Sequence, residues 1–251
     1  MTSFGPVAAH YDRLMNVVPY RMWASYLLLL FSKQGVRPKK ILDVCCGTGI
    51  MCELLTDEGF ELTGFDLSPE MIAQAREKAE LAMYKIRYKV ADAADFEFNY
   101  PNSEIEKFDA AFSFFDSLNY IYEPEKLASA FKQVGKHLPA GASFIFDMNT
   151  AYAFEERMFD QQHLKKDSPL RYRWRGDWNP ETRIIKVTMK FWAGQDEFVE
   201  THIQRAYSED EIREMLDAAG FGQVEVFHAY SLDRPRANTD RIHYAAIKRN
   251  Y

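Results

Sequence analysis

An α/β fold built on a parallel sheet is what this sequence predicts, and three observations carry the prediction. Between residues 40 and 148, short apolar runs alternate with amphipathic helical stretches, the pattern of strands joined by crossover helices. The first apolar run ends directly in a glycine-containing turn, Gly47-Thr48-Gly49. Over residues 171–207 the period drops to 2, and a helical period then returns, so an antiparallel unit is inserted into the α/β core.

Taken in order, residues 40–46 (KILDVCC) read as a buried strand ending at that turn. A helix follows to about residue 58 and stops at Gly59, which takes a left-handed cap without steric cost. Residues 60–66 are the second strand. Ser68 and Pro69 supply an N-cap and a proline at the first helical position, opening a helix to about residue 84. Residues 86–91 and 108–115 are the third and fourth strands. Pro124 opens the next helix, whose Leu127, Phe131, Val134 and Leu138 share one face, and residues 142–148 are the fifth strand. In the period-2 segment, Ile185, Val187, Met189 and Phe191 alternate with Lys186, Thr188 and Lys190, while Asn179-Pro180 and Gly194-Gln195-Asp196 give turns. Three antiparallel strands result, an inserted lid over 168–207. Ser208 and Glu211 form a capping box ahead of the stripe Ile212, Met215, Leu216 and Ala219, ended by Gly220. Residues 221–230 and 242–248 close the sheet, bringing it to seven strands. The stretch over 1–38 is helical and lies outside the sheet.

Composition excludes several classes of function. With 47% hydrophobic and 27% charged residues the chain is an ordinary globular sequence. Its 31 Lys+Arg against 37 Asp+Glu leave a net charge of −6, which argues against nucleic acid as a partner, since phosphate neutralisation needs a basic face. Three cysteines, two of them adjacent at Cys45 and Cys46, make neither a disulfide framework nor a metal site and suit a reducing cytoplasm. The apolar run over 26–31 falls far short of the roughly 20 residues that span a bilayer, and no basic segment precedes it. A cytoplasmic protein without membrane attachment is therefore expected. His10, His137, His163, His228 and His243 stand alone and read as structural or surface groups. Lys165, Lys166, Arg171, Arg173 and Arg175 read as a solvated strand face before an anion-drawing patch.

The chemistry concentrates at one edge. Asp43 lies near the end of the first strand, Cys45-Cys46-Gly47-Thr48-Gly49 follows it, and Asp66 ends the neighbouring strand. Glycines let a backbone approach a ligand closely. An acid at the tip of the next strand is placed to accept hydrogen bonds from ribose hydroxyls. An adenosine-containing cofactor follows. In a dinucleotide fingerprint the third glycine would stand where Cys52 stands, which disfavours a nicotinamide dinucleotide. Asp43 would also repel a diphosphate, whereas it suits a cofactor with a cationic amino group. S-adenosylmethionine has that group, a cationic sulfonium and no phosphate.

The segment Ile41-Leu42-Asp43-Val44-Cys45-Cys46-Gly47-Thr48-Gly49 resembles the first motif of class I S-adenosylmethionine-dependent methyltransferases, commonly written L-D-L-G-C-G-T-G. Gly64-Phe65-Asp66-Leu67-Ser68-Pro69-Glu70-Met71 is similar to the family's ribose-binding segment, and Ala91-Asp92-Ala93 stands where the family contacts adenine. Asp116-Ser117-Leu118-Asn119-Tyr120, Tyr11-Asp12-Arg13-Leu14-Met15, Pro19-Tyr20 and the segment from Glu200 to Tyr207 are similar to a subgroup of small bacterial methyltransferases of unassigned substrate. Cys45 departs from the pattern by replacing the first glycine. The resemblance implies a Rossmann-like sheet of seven mostly parallel strands with the last antiparallel, and methyl transfer to a small-molecule N or O acceptor. It also implies the site. Asp43 would bind the methionine amino group, Cys45, Gly47 and Gly49 would line the methionine portion, and Asp66 would take the ribose. Leu67 and Met71 would pack on the adenine, Asp92 and Ala93 would hydrogen-bond to it, and Phe114 would offer its carbonyl near the amino group. Tyr11, Tyr20 and Trp23 would cover the cofactor from the helices over 1–38, and Asn119 would orient a ligand.

Displacement at a sulfonium rests mainly on alignment, and a base is needed only where the acceptor must lose a proton. Asp116, Tyr120 and His202 are the candidates. Asp116 stands ahead because its loop follows the fourth strand, while His202 shares a polar strand face with Glu200 and Gln204. Two other readings are a non-catalytic regulator that binds the cofactor and a nicotinamide-dependent oxidoreductase.

Overall fold

The computed structural model describes residues 4–250; residues 1–3 and 251 lie outside them, and with them the start of the helical cover expected over 1–38. The remainder of that cover holds a 3₁₀ turn at Ala8–His10, α1 (Tyr11–Leu14) and α2 (Tyr20–Lys33). The core then alternates as expected: β1 (Lys40–Val44), α3 (Ile50–Asp57), β2 (Glu61–Asp66), α4 (Pro69–Leu81) and β3 (Arg87–Val90). After β4 (Ala110–Ser113) come a 3₁₀ turn at Ser117–Tyr120, α5 (Pro124–His137), β5 (Ser143–Asn149) and the short α6 (Ala151–Glu155). A second sheet holds β6 (Gln161–His163), β7 (Leu170–Asn179), β8 (Ile184–Ala193) and β9 (Asp196–Arg205). The chain returns through α7 (Glu209–Ala218), β10 (Phe221–His228) and β11 (Arg241–Lys248).

Local signals set the helix starts. Ser68 accepts the Met71 N–H ahead of Pro69, and Ser208 and Glu211 complete a reciprocal capping box. The fourth strand is shorter than its apolar run suggests, because Phe115 and Asp116 turn into the left-handed region at φ 69° and 49°.

The seven-stranded sheet has the order β10-β11-β5-β4-β1-β2-β3. β1 pairs in parallel with both β2 and β4, whereas β11 is antiparallel to β5 and to β10. Strand order therefore reverses between β1 and β4, and a crevice opens at their carboxyl ends, where open α/β sheets bind ligands. Alternation along β1 sends Leu42 and Val44 to one layer, with Phe131 and Leu216, and Ile41 to the other, with Leu27, Leu55 and Ile72. β5 is buried at every position, as a strand covered by helices on both faces must be. His137 is structural: it accepts the Phe98 N–H at 3.0 Å from inside an aromatic cluster.

One expectation is corrected. The inserted sheet has four strands, β6-β7-β8-β9, not three, and it begins at Gln161 rather than 168. The three residues Gln161-Gln162-His163 carry no alternation and join β7 only as an edge, so backbone pairing alone makes them a strand.

Gly135 in α5 gives a test of the packing. A helix-interior glycine ordinarily gains stability on replacement by alanine. Here a Cβ would stand 2.7 Å from the Ala219 carbonyl oxygen at the end of α7. Gly135→Ala is expected to destabilise the protein by about 1–3 kcal/mol, the cost of overpacking, read as a lowered urea midpoint. A raised midpoint would show that α5 and α7 do not pack this closely.

Candidate active site

The turn after β1 is held by the end of β2. The Cys46 N–H donates to the Phe65 carbonyl and the Gly47 N–H to Asp66 Oδ2, both at 2.9 Å, while Asp66 Oδ1 accepts the Ser68 N–H at 2.9 Å. Gly47 and Gly49 lie at φ 55° and 80°, and Cys45 shares that left-handed conformation at 61°. At Gly49 a Cβ would stand 2.2 Å from the Tyr88 hydroxyl, so this position needs glycine for space as well as conformation. Thr48 Oγ1 donates to Asp12 Oδ1 at 2.5 Å and Lys78 Nζ meets Asp12 Oδ2 at 2.7 Å, which latches the N-terminal helices onto the turn.

Asp43 is 3% exposed and accepts a hydrogen bond from the Cys52 thiol at 3.2 Å. No salt bridge among the described residues ends on it. Burial pushes its carboxyl well above the ordinary range, and the nearby Asp66 adds to this. Asp66 is raised as well, again by burial, with its backbone hydrogen bonds pulling the other way.

These groups face a cavity of about 890 Å³ that runs from the sheet edge to the inserted sheet. Asp43, Cys45, Gly47, Asp66, Leu67, Met71, Asp92, Ala93 and Phe114 line it, as do Tyr11, Tyr20, Trp23, Asp116 and His202. Gly49 does not, being turned against Tyr88. Nor does Asn119. Its Nδ2 donates to the carbonyls of Asn149 at 3.1 Å and Arg205 at 2.8 Å, and its Oδ1 accepts the Asn149 N–H at 2.9 Å. The amide is spent on clamping the 3₁₀ turn to β5 and β9. Tyr20 and Trp23 line the cavity and also pack in an aromatic cluster, Trp23 stacking on Tyr230 with centroids 5.2 Å apart. The basic residues Lys165, Lys166, Arg173 and Arg175 lie exposed.

Asp116 is held on every side. Oδ1 meets Arg241 at 2.8 Å, Oδ2 accepts from Gln204 Nε2 at 2.7 Å, and its N–H donates to Asp147 Oδ1 at 2.7 Å. Arg241 reaches Asp147 Oδ2 at 2.8 Å with its other nitrogen. Burial raises the Asp116 carboxyl above its usual range, and Arg241 offsets this only in part.

β9 carries its polarity inside out. Register pairs Gln204 with Ile185, His202 with Val187 and Glu200 with Met189, so the polar row shares the buried face of β8. Glu200 is 8% exposed and His202 and Gln204 are 1%, while Val199 on the other face is 55% exposed. Each member of the row is hydrogen-bonded, although Gln204 Oε1 is buried without a partner. Tyr120 Oη lies 2.9 Å from His202 Nδ1, and His202 Nε2 lies 2.9 Å from Glu200 Oε2. Glu200 also accepts the N–H groups of Val7 at 2.9 Å and Phe4 at 3.2 Å. The Phe4 ring packs edge-on against His202, centroids 4.5 Å apart. Burial holds the Tyr120 hydroxyl well above the ordinary range, so it stays a phenol. The network assigns the tautomer in which His202 donates from Nε2 to Glu200 and accepts the Tyr120 proton at Nδ1.

Arg241 and Asp147 escape sequence reasoning, as does the burial of the Glu200–Gln204 row. The last had a signal, the pairing of those positions with the apolar positions of β8. Among the described residues no group of three or more His, Cys, Asp or Glu side chains is placed to hold a metal, and no helix is long and apolar enough to cross a membrane.

The family model described as a methyltransferase domain matches residues 12–226. A protein of Geobacillus sp. (strain WCH70), provisionally assigned by its name to the methyltransferases, is 30% identical over 254 residues, 98% of this chain and 100% of its own length. A crystal structure of an S-adenosylmethionine-dependent methyltransferase from Clostridium acetobutylicum ATCC 824 superposes with a TM-score of 0.84 at 26% identity, covering 99% of this chain and 100% of that one. The S-adenosylmethionine-bound CalS10, an amino pentose methyltransferase from Micromonospora echinaspora involved in calicheamicin biosynthesis, gives a TM-score of 0.72 at 19% identity over 99% of this chain and 98% of its own, a likeness of fold.

The burial of Asp43 predicts how stability varies with pH. Below the pKa of an unfolded aspartate, about 3.9, the group is protonated in both states and costs nothing. As pH rises the unfolded chain ionises first, so stability falls until the buried carboxyl ionises too. Asp43→Asn is therefore expected to be more stable than the parent at neutral pH, with the difference shrinking toward pH 4 in urea titrations. A difference independent of pH would show that Asp43 carries no such cost.

Proposed function

The chain belongs to the S-adenosylmethionine-dependent methyltransferases, and we propose that it methylates a small molecule held between the carboxyl edge of its central sheet and the inserted sheet. The buried, unpaired carboxylate of Asp43 carries this reading. It lacks a cation, and the cofactor's amino group is one. A pyrophosphate would meet repulsion at the same position, which disfavours a dinucleotide.

The neighbouring residues fit the rest of the molecule. The turn at Gly47 offers backbone without a side chain, and Asp66 at the end of β2 keeps lone pairs for ribose hydroxyls beyond its two backbone bonds. Leu67 and Met71 supply apolar cover for a base, and Asp92 and Ala93 supply polar atoms at its edge. When bound, the cofactor supplies an electrophilic methyl group on a leaving group that needs no further activation. The chain's task is to align the acceptor and keep water out. The inserted sheet acts as the lid, and Tyr11, Tyr20 and Trp23 act as the cover on the helical side, their aromatic faces suited to a sulfonium. Asp116 serves as a structural tie, since both of its oxygens are already engaged.

Asp66→Ala is expected to weaken S-adenosylhomocysteine binding by about 1.5–3 kcal/mol, the worth of charge-assisted hydrogen bonds, without unfolding the chain. Titration calorimetry measures this. Unchanged affinity in a folded variant would move the cofactor site elsewhere.

A further inference from the structure

Resting on the methyl-transfer reading, we propose that the acceptor is a flat aromatic molecule carrying a hydroxyl group, and that Tyr120, backed by His202 and Glu200, takes that hydroxyl's proton. The lid end of the cavity is lined by Met158, Phe159, Tyr172, Trp174, Met189 and Phe191. Ring faces and thioethers bind flat apolar molecules. The Trp174 Nε1–H is buried without a partner, a donor for one polar substituent.

The polar groups at this end suit a hydroxyl better than a cation. Both Asp116 oxygens are already engaged, by Arg241 and Gln204, and Glu200 stands behind His202, so neither carboxylate is presented to an ammonium group. Tyr120 presents a neutral oxygen whose own proton is committed to His202 Nδ1 at 2.9 Å. That oxygen keeps lone pairs to accept a proton from the acceptor. An aromatic amine attacks through a lone pair it already has and sheds its proton afterwards. A phenol, with a pKa near 10, is protonated at neutral pH and must lose its proton as it attacks, and only this second case needs a relay.

The proton path balances. Tyr120 Oη accepts the acceptor's proton as its own passes to His202 Nδ1, the freed oxygen pair forms the bond to the methyl carbon, and the old bond pair stays on sulfur. The imidazolium so formed lies against Glu200, whose carboxylate the Val7 and Phe4 N–H groups hold in place. The Phe4 ring packs against both Tyr120 and His202. Tyr120 is thus the catalytic residue, and His202 and Glu200 are positioning residues that act through it. The inverted strand gains its purpose here, because three polar side chains on a buried face are costly unless every one is engaged.

The test uses the whole chain. Titration with S-adenosylhomocysteine comes first; absence of binding would overturn the methyl-transfer reading itself and this inference with it. In the complex, 4-nitrophenol is expected to bind and to show its phenolate absorbance at lower pH than in free solution. Tyr120→Phe should lose that shift. With S-adenosylmethionine, 4-ethylphenol should be O-methylated, while 4-ethylaniline and glucosamine should not. Tyr120→Phe should lower that turnover by about 10²–10⁴-fold with S-adenosylhomocysteine affinity held. His202→Gln should lower kcat for 4-ethylphenol and lose the phenolate shift of bound 4-nitrophenol, as Tyr120→Phe does. Turnover of the aniline or the amino sugar in place of the phenol overturns the acceptor class. So does failure to turn over 4-ethylphenol in a protein that binds S-adenosylhomocysteine. A Tyr120→Phe variant that keeps both rate and spectral shift overturns the relay.

Discussion

One guanidinium joins the two sheets. Arg241 meets Asp116 and Asp147 at 2.8 Å each, and Asp116 in turn accepts from Gln204 on β9 at 2.7 Å. Without it, two acids at the ends of neighbouring parallel strands would face each other in a buried space. A forked, always-charged donor set is the group that bridges two carboxylates at once. Topology delivers it. Because β11 runs against the other strands, its first residue lies at the carboxyl edge where the parallel strands end. A buried ion pair of this kind contributes little net stability but fixes one arrangement. What it fixes here is the position of the loop after β4 and, through Gln204, its distance from the inserted sheet.

The same edge shows two acids in opposite situations. Asp116 is buried and paired; Asp43 is buried and unpaired. Burial raises both carboxyls, yet only Asp116 has a cation to offset it. A paired acid holds structure, and an unpaired one is a place for a ligand's charge. The proposed roles follow from that difference rather than from the position of each residue in its loop, which is why Asp116 reads as the better base in sequence and as a tie in the fold.

What was legible in the sequence is what is local. β1, its turn and the acid ending β2 lie within 30 residues and declare themselves by alternation, glycine and a capping serine. Contacts made by closure of the chain did not: Arg241 stands 125 residues from Asp116, and Gln204 stands 88 from it. The polar row of β9 misleads for a physical reason. Taken alone, Val199, Thr201 and Ile203 look like the inward face, and only the register with β8 turns that face outward. β6 escaped because an edge strand of three residues needs no pattern of its own. Asn119 sat in a motif beside cavity-lining residues, but its amide saturates three backbone groups instead.

Cys45 shows how far the turn is imposed from outside. A side chain in the left-handed region costs roughly 1–2 kcal/mol, which glycine would avoid. The residue nevertheless lies at φ 61°. The Cys46 N–H must reach the Phe65 carbonyl and the Gly47 N–H must reach Asp66, and both bonds at 2.9 Å require the chain to bend at position 45. Each is worth about the same as the strain or more, the second being charge-assisted. Cys45 also packs against the core layer that holds Val44 and Phe65, where glycine would leave a gap. The turn is therefore set by β2 and its terminal acid, and the identity of the residue that bends is secondary.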